Sequence, residues 1–147
     1  VLRCLGIPTR MVTGFTWAHN TNSCLSVDEY YDEDGTLLTQ DKSACVWTFH
    51  VWNECWMARA DLLPKYSGWQ ALDATCQEKS KGPSFCGPAP VQAIKEGDIE
   101  VDYDVRYFFA AINAKCQVWL QTADDLKPAL GSTKYTGNNI STKSVNT

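Results

Sequence analysis

The chain has 147 residues, 44% hydrophobic and 20% charged, with a formal net charge of -4. That length is enough for one domain with its own core, the mild acidity gives no support to a nucleic-acid partner, and no apolar run is long enough to cross a bilayer as a helix. No signal peptide is visible, and the opening run Val1-Leu2-Arg3-Cys4-Leu5 reads as chain interior, so the expectation is part of a larger domain, cut at both ends.

Residues 2–6 read as the end of a helix, stopped at Gly6 and blocked from continuing by Pro8. Residues 11–15 form a short apolar strand, and residues 19–23 are polar and turn-like. Alternation over residues 25–31 predicts a second strand, and Asp32-Glu33-Asp34-Gly35 a hairpin turn. Residues 45–56 are rich in aromatic and β-branched side chains and almost continuously apolar, which predicts a strand covered on both faces. Strict alternation would put His50 on one face with Val46, Thr48 and Trp52, and Trp47 and Phe49 on the other. Residues 58–68 are a loop marked by Pro64 and Gly68, followed by a short strand at 69–73 that ends on Asp73. Gly82-Pro83 and Gly87-Pro88-Ala89-Pro90 are turn signals. Residues 91–96 predict one or two helical turns, and strands are expected at 105–112, 117–120 and 140–145. Strands dominate without regular βα alternation, so the expected class is α+β with a largely antiparallel sheet.

Seven cysteines, an odd number with no close Cys-x-x-Cys pair, argue against a zinc site and for reduced, partly buried thiols. The sequon at Asn139-Ile140-Ser141 is a common triplet, taken as unused.

Two residues offer chemistry: His50, in the middle of the tryptophan-rich strand, and Asp73, at the end of a nearby one. If the strands lie side by side, Asp73 can accept a hydrogen bond from one ring nitrogen of His50, fixing its tautomer and leaving the other nitrogen for a nucleophile. Pattern alone favours the plainer alternative of a core histidine and a turn-capping aspartate.

The words around these residues go further. Val1-Leu2-Arg3-Cys4-Leu5-Gly6-Ile7-Pro8-Thr9-Arg10 resembles the transglutaminase segment that follows the nucleophilic cysteine. Trp47-Thr48-Phe49-His50-Val51-Trp52-Asn53-Glu54 resembles the segment around the catalytic histidine, and Gly68-Trp69-Gln70-Ala71-Leu72-Asp73-Ala74-Thr75 that around the catalytic aspartate. The resemblance runs over essentially the whole chain, in order and spacing. It implies a papain-like core with a Cys-His-Asp triad, acting on protein substrates that bear glutamine and lysine. His50 is then acid and base, Asp73 orients it, and Trp47 walls the lysine-side tunnel and assists the oxyanion. The family's nucleophile falls just before Val1, and Cys4 is not its counterpart, so the 147 residues alone are expected to be inactive.

The resemblance also implies calcium, with ligands that are degraded here. One family site falls on Asn20, Asn22, Cys24, Ser26 and Ala44, a poor set of oxygen donors. A second falls on Asn113, the carbonyl of Thr133 and glutamates expected beyond residue 147, with Lys115 where an aspartate is expected, so Asn113 and Thr133 are expected to form a weak site. Residues 109–114 and 133–143 look closer to the erythrocyte band 4.2 branch of the family. That branch implies an inactive scaffold that binds the anion exchanger and ankyrin at the inner face of the plasma membrane, whereas the enzyme branch implies the cytoplasm. Retention of His50 and Asp73 favours the enzyme.

Overall fold

The computed structural model describes residues 1–20, 26–40, 44–75, 86–123, 125–129, 133–134 and 137. The expected strand at 140–145, the Gly82-Pro83 turn and the sequon lie outside them. After a single 3-10 turn at Arg3–Leu5, closed by Gly6 at φ +79°, come strands β1 (Thr9–Asn20), β2 (Ser26–Tyr31), β3 (Leu37–Gln40) and β4 (Ala44–Met57). A second 3-10 turn at Pro64–Tyr66 leads to β5 (Gly68–Asp73), β6 (Cys86–Pro90), and helices α1 (Val91–Glu96) and α2 (Val105–Asn113). The last strands are β7 (Lys115–Gln121), β8 (Leu126–Pro128) and β9 (Thr133–Lys134).

The fold is α+β and mostly antiparallel. One sheet has the order β1-β4-β5-β6, antiparallel at every pair. The other runs β3-β2-β7-β8, with β9 on β7, and contains one parallel pair, β2 with β7. The turn between β2 and β3 is the expected hairpin, in which Asp32 Oδ1 accepts the backbone N–H groups of Asp34 and Thr36 at 3.0 and 2.7 Å. Among the described residues no helix is long and apolar enough to cross a membrane.

Three expectations need correction. Residues 105–113 are helical, not extended. The run Val105-Arg106-Tyr107-Phe108-Phe109-Ala110-Ala111-Ile112 has strand-like composition, but Val105, Phe108, Ala110 and Ala111 are the buried positions, which is a helical face. The Gly87-Pro88-Ala89-Pro90 signals lie in strand β6. Among the described residues it is an edge strand, where missing N–H donors are tolerated. Gly87 (φ +94°) meets β5 so closely that a Cβ would sit 2.3 Å from Ala71 O. Finally, β4 is not covered on both faces throughout: Glu54 and Cys55 are buried, while Phe49 is 61% exposed and Val51 is also exposed.

The core that supports the site lies between the first sheet and the two helices, and contains Trp17, Trp52, Ala71, Ala89, Ile94, Val105 and Phe108. Phe108 meets Trp52 edge-on at a centroid distance of 5.0 Å, so α2 braces the face of β4 that carries His50.

Candidate active site

Strands β4 and β5 pair with Asn53 opposite Leu72. One further step in that register sets Asp73 across from Trp52, a residue on the same face as His50 and two positions from it, so His50 and Asp73 are diagonal neighbours. His50 Nε2 and Asp73 Oδ2 are 2.7 Å apart. An ionised carboxylate can only accept, so the proton of this bond sits on Nε2 and Nδ1 is left with a free lone pair. Asp73 is held on both oxygens. Oδ1 accepts the backbone N–H of Thr75 at 2.9 Å, and Tyr107 of α2 reaches Oδ2 with its hydroxyl at 3.5 Å. At 2% exposure, the carboxylate is removed from competing water.

Trp47 also reaches the site, against the face expected from alternation. Its ring centroid lies 4.2 Å from that of His50. The reason lies in the ladder between β1 and β4. It is regular up to Phe15 opposite Phe49 and resumes at Trp17 opposite Trp47, with the register skipping the step at Thr16 and Thr48. Thr16 has φ +56°, an unusual conformation for a β-branched residue. The distortion breaks the period of two, and both indoles reach the side of His50: the Trp17 ring lies 5.1 Å from it.

Sequence reasoning missed Trp17, Gly14 and Tyr107. A signal existed for the first two, since a glycine inside a strand marks close approach of another group, and a Cβ on Gly14 would lie 1.6 Å from Trp17 Nε1. Tyr107 was hidden by the mistaken strand assignment of α2.

Cys4, Cys55 and Cys86 carry free thiols. Cys86 pairs with Asp73 across β5 and β6. Burial, with the negative charges of Asp104 and Asp73 added, pushes its thiol up to about 12, so it stays protonated at neutral pH and is no nucleophile.

The calcium residues come out differently. Asn113 closes α2 and is half-buried, and Thr133 in β9 pairs with Cys116 of β7, so both lie near the start of β7. The exposed cation there is Lys115, and among the described residues no group of three His, Cys, Asp or Glu side chains gathers to hold a metal. By themselves one amide and one carbonyl beside a lysine are too few donors for calcium, which takes six or more oxygens, several of them anionic. Asn22 and Cys24, and the side chains of Asn20 and Ala44, lie outside the described residues.

Residues 1–74 match the Transglutaminase-like superfamily. The chain is 54% identical to protein-glutamine gamma-glutamyltransferase 5 of Mus musculus and 50% identical to protein-glutamine gamma-glutamyltransferase 2 of Gallus gallus, each match covering 99% of the chain. It spans about a fifth of these relatives, 20% and 21% of their lengths. The crystal structure of red sea bream transglutaminase superposes with a TM-score of 0.77 at 45% identity, over 99% of this chain and 22% of that one. These relatives are transferases by name, and they do not single out the band 4.2 branch.

Proposed function

Since the chain belongs to the transglutaminase-like superfamily, we propose that its 147 residues are part of the acyl-transfer core of a protein-glutamine γ-glutamyltransferase. One observation carries the reading: the 2.7 Å contact between His50 Nε2 and a buried, doubly anchored Asp73 carboxylate. A structural histidine needs a partner, but not one that pins its tautomer and leaves Nδ1 as a base.

The chemistry follows from that geometry. Nδ1 takes the proton of a cysteine thiol supplied by the full-length protein, and the thiolate attacks the side-chain amide carbon of a substrate glutamine. As the C–N bond breaks, the proton on Nδ1 passes to the departing nitrogen and ammonia leaves, giving a thioester. Nδ1 next removes a proton from the incoming lysine amine, whose nitrogen forms the new C–N bond as the C–S bond breaks. That proton returns to the sulfur. Throughout, Asp73 holds the ring by Nε2 and stabilises the imidazolium when it forms. Trp47 is assigned to the wall of the amine's approach, where an indole excludes water that would hydrolyse the thioester.

No step is routed through calcium, because Asn113 and Thr133 alone do not complete a site for it. No observation favours the scaffold reading: most of residues 133–143 lies outside the described residues, and the pairing of His50 with Asp73 supports catalysis.

The test is incorporation of a labelled primary amine into a glutamine-bearing protein by the full-length enzyme, with and without calcium. His50→Ala should abolish it. Asp73→Asn keeps the shape but reverses the hydrogen-bond preference, and should lower kcat by about 10²–10⁴-fold. Absence of incorporation, or full activity in either variant, rejects the reading.

A further inference from the structure

Trp17 has no part in the chemistry above, yet its placement is costly and specific. Its indole is 4% exposed and is seated on the backbone of Gly14, the residue opposite His50 in the ladder. Only glycine leaves room there. The residue before it, Thr16, holds φ +56°, and its carbonyl accepts the backbone N–H of Gly137 at 2.9 Å. A strained conformation of this kind costs of order 1–3 kcal/mol and persists only where the surroundings fix it.

The strain brings Trp17 into a supported stack. Its ring lies 4.1 Å from that of Trp52. Trp52 is fixed in turn by an Nε1–H bond of 3.2 Å to Glu54, a buried carboxylate that Arg10 engages at 2.6 and 2.9 Å. This stack ends on the edge of the His50 ring. Trp17, Trp52 and Glu54 also line a cavity of about 250 Å³ under α1 and α2, whose lining does not include His50. The indole therefore borders the cavity and meets the imidazole at once.

We propose that Trp17 is a positioning residue for His50. Seated on Gly14, it holds the imidazole with Nε2 on Asp73 and keeps water of the adjoining cavity off that bond. Its effect on turnover rests on the acyl-transfer reading, whereas its effect on the imidazole does not.

The test uses the full chain, labelled with ¹⁵N-histidine, and reads the ring nitrogens, with His50 assigned by the loss of its signals in His50→Gln. The wild type should show one Nε2–H tautomer. Trp17→Ser should give averaged tautomers, with kcat lower by about tenfold and KM nearly unchanged, because a small misplacement of the base acts on chemistry more than on binding. Trp17→Phe should restore most of both. If Trp17→Ser does not fold, Gly14→Ala removes the seat while keeping the indole, and should produce the same change. A His50 pattern unchanged in a folded Trp17→Ser or Gly14→Ala protein overturns the proposal, even if kcat falls. If the wild type incorporates no amine, the acyl-transfer reading fails, and the ring pattern still decides the role of Trp17.

Discussion

The diagonal placement of Asp73 against His50 makes a short side chain serve two neighbours. One oxygen is spent on the backbone N–H of Thr75, which fixes the carboxylate, and the other on the imidazole. The same carboxylate shapes its cross-strand partner, Cys86. Burial, with the negative charges of Asp104 and then Asp73 added, holds that thiol's proton up to about 12, above the ordinary thiol value of ~8.5. The native state therefore binds this proton more tightly than the unfolded chain. The resulting stability is fully present below the ordinary thiol pKa and is lost as pH rises through about 12. Two outcomes are expected. Iodoacetamide at pH 8 should label the exposed Cys4 quickly and Cys86 only as the protein opens, as read by peptide mass spectrometry. Urea midpoints measured from pH 8 to pH 11 should fall more steeply in the wild type than in Cys86→Ala. Equal labelling rates, or parallel slopes, would show that Cys86 is not held as described.

At the scale of elements, the connection from β4 to β5 decides whether Asp73 arrives at all, and Arg59 organises it. Its guanidinium is 5% exposed and donates to Gln70 Oε1 at 3.0 Å, to Pro88 O at 2.8 Å, to Asp102 O at 3.1 Å and to both carboxylate oxygens of Asp61. One side chain thus ties β5, β6 and the loop before α2 to the connection. Arg59→Leu would remove the guanidinium donors to Gln70 Oε1, Asp102 O and the Asp61 carboxylate, and one of the two donors to Pro88 O, and should cost about 2–4 kcal/mol in urea unfolding. Asp61, nearly half exposed, is held in its charged form by Arg59 but shields little, so Asp61→Ala should cost clearly less than Arg59→Leu. Comparable losses in the two variants would contradict this division. None of it is legible in the sequence, where Arg59 looks like one more loop cation. Legible were the elements whose period or turn chemistry is local: β2 and its hairpin from Asp32-Glu33-Asp34-Gly35, β5, and α1. Helix α2 was misread because seven apolar and aromatic residues among the eight of 105–112 satisfy both periods, and packing, chiefly against β1, chooses between them.

Across the whole molecule, the motif words identified His50, Asp73 and Trp47 as candidates, but the distortion that brings the tryptophans together depends on residues far apart in the chain. Gly137 is the link. Its N–H donates to Thr16 O, and a Cβ added to it would lie 2.0 Å from Ile112 O. It is therefore wedged between the end of α2 and the kink in β1, at φ +71°, where only glycine is unstrained. The kink sits in one sheet, while α2 runs into β7 of the other. Gly137→Ala must push α2 away from β1 or pull the N–H off Thr16, and either movement loosens the seat of Trp17. The expected cost is about 2–3 kcal/mol in urea unfolding, together with the averaged His50 tautomers expected for Trp17→Ser. A Gly137→Ala protein as stable as the wild type, with His50 still on a single tautomer, would mean that the β1 kink is held by its own strand and needs no clasp from the end of the chain.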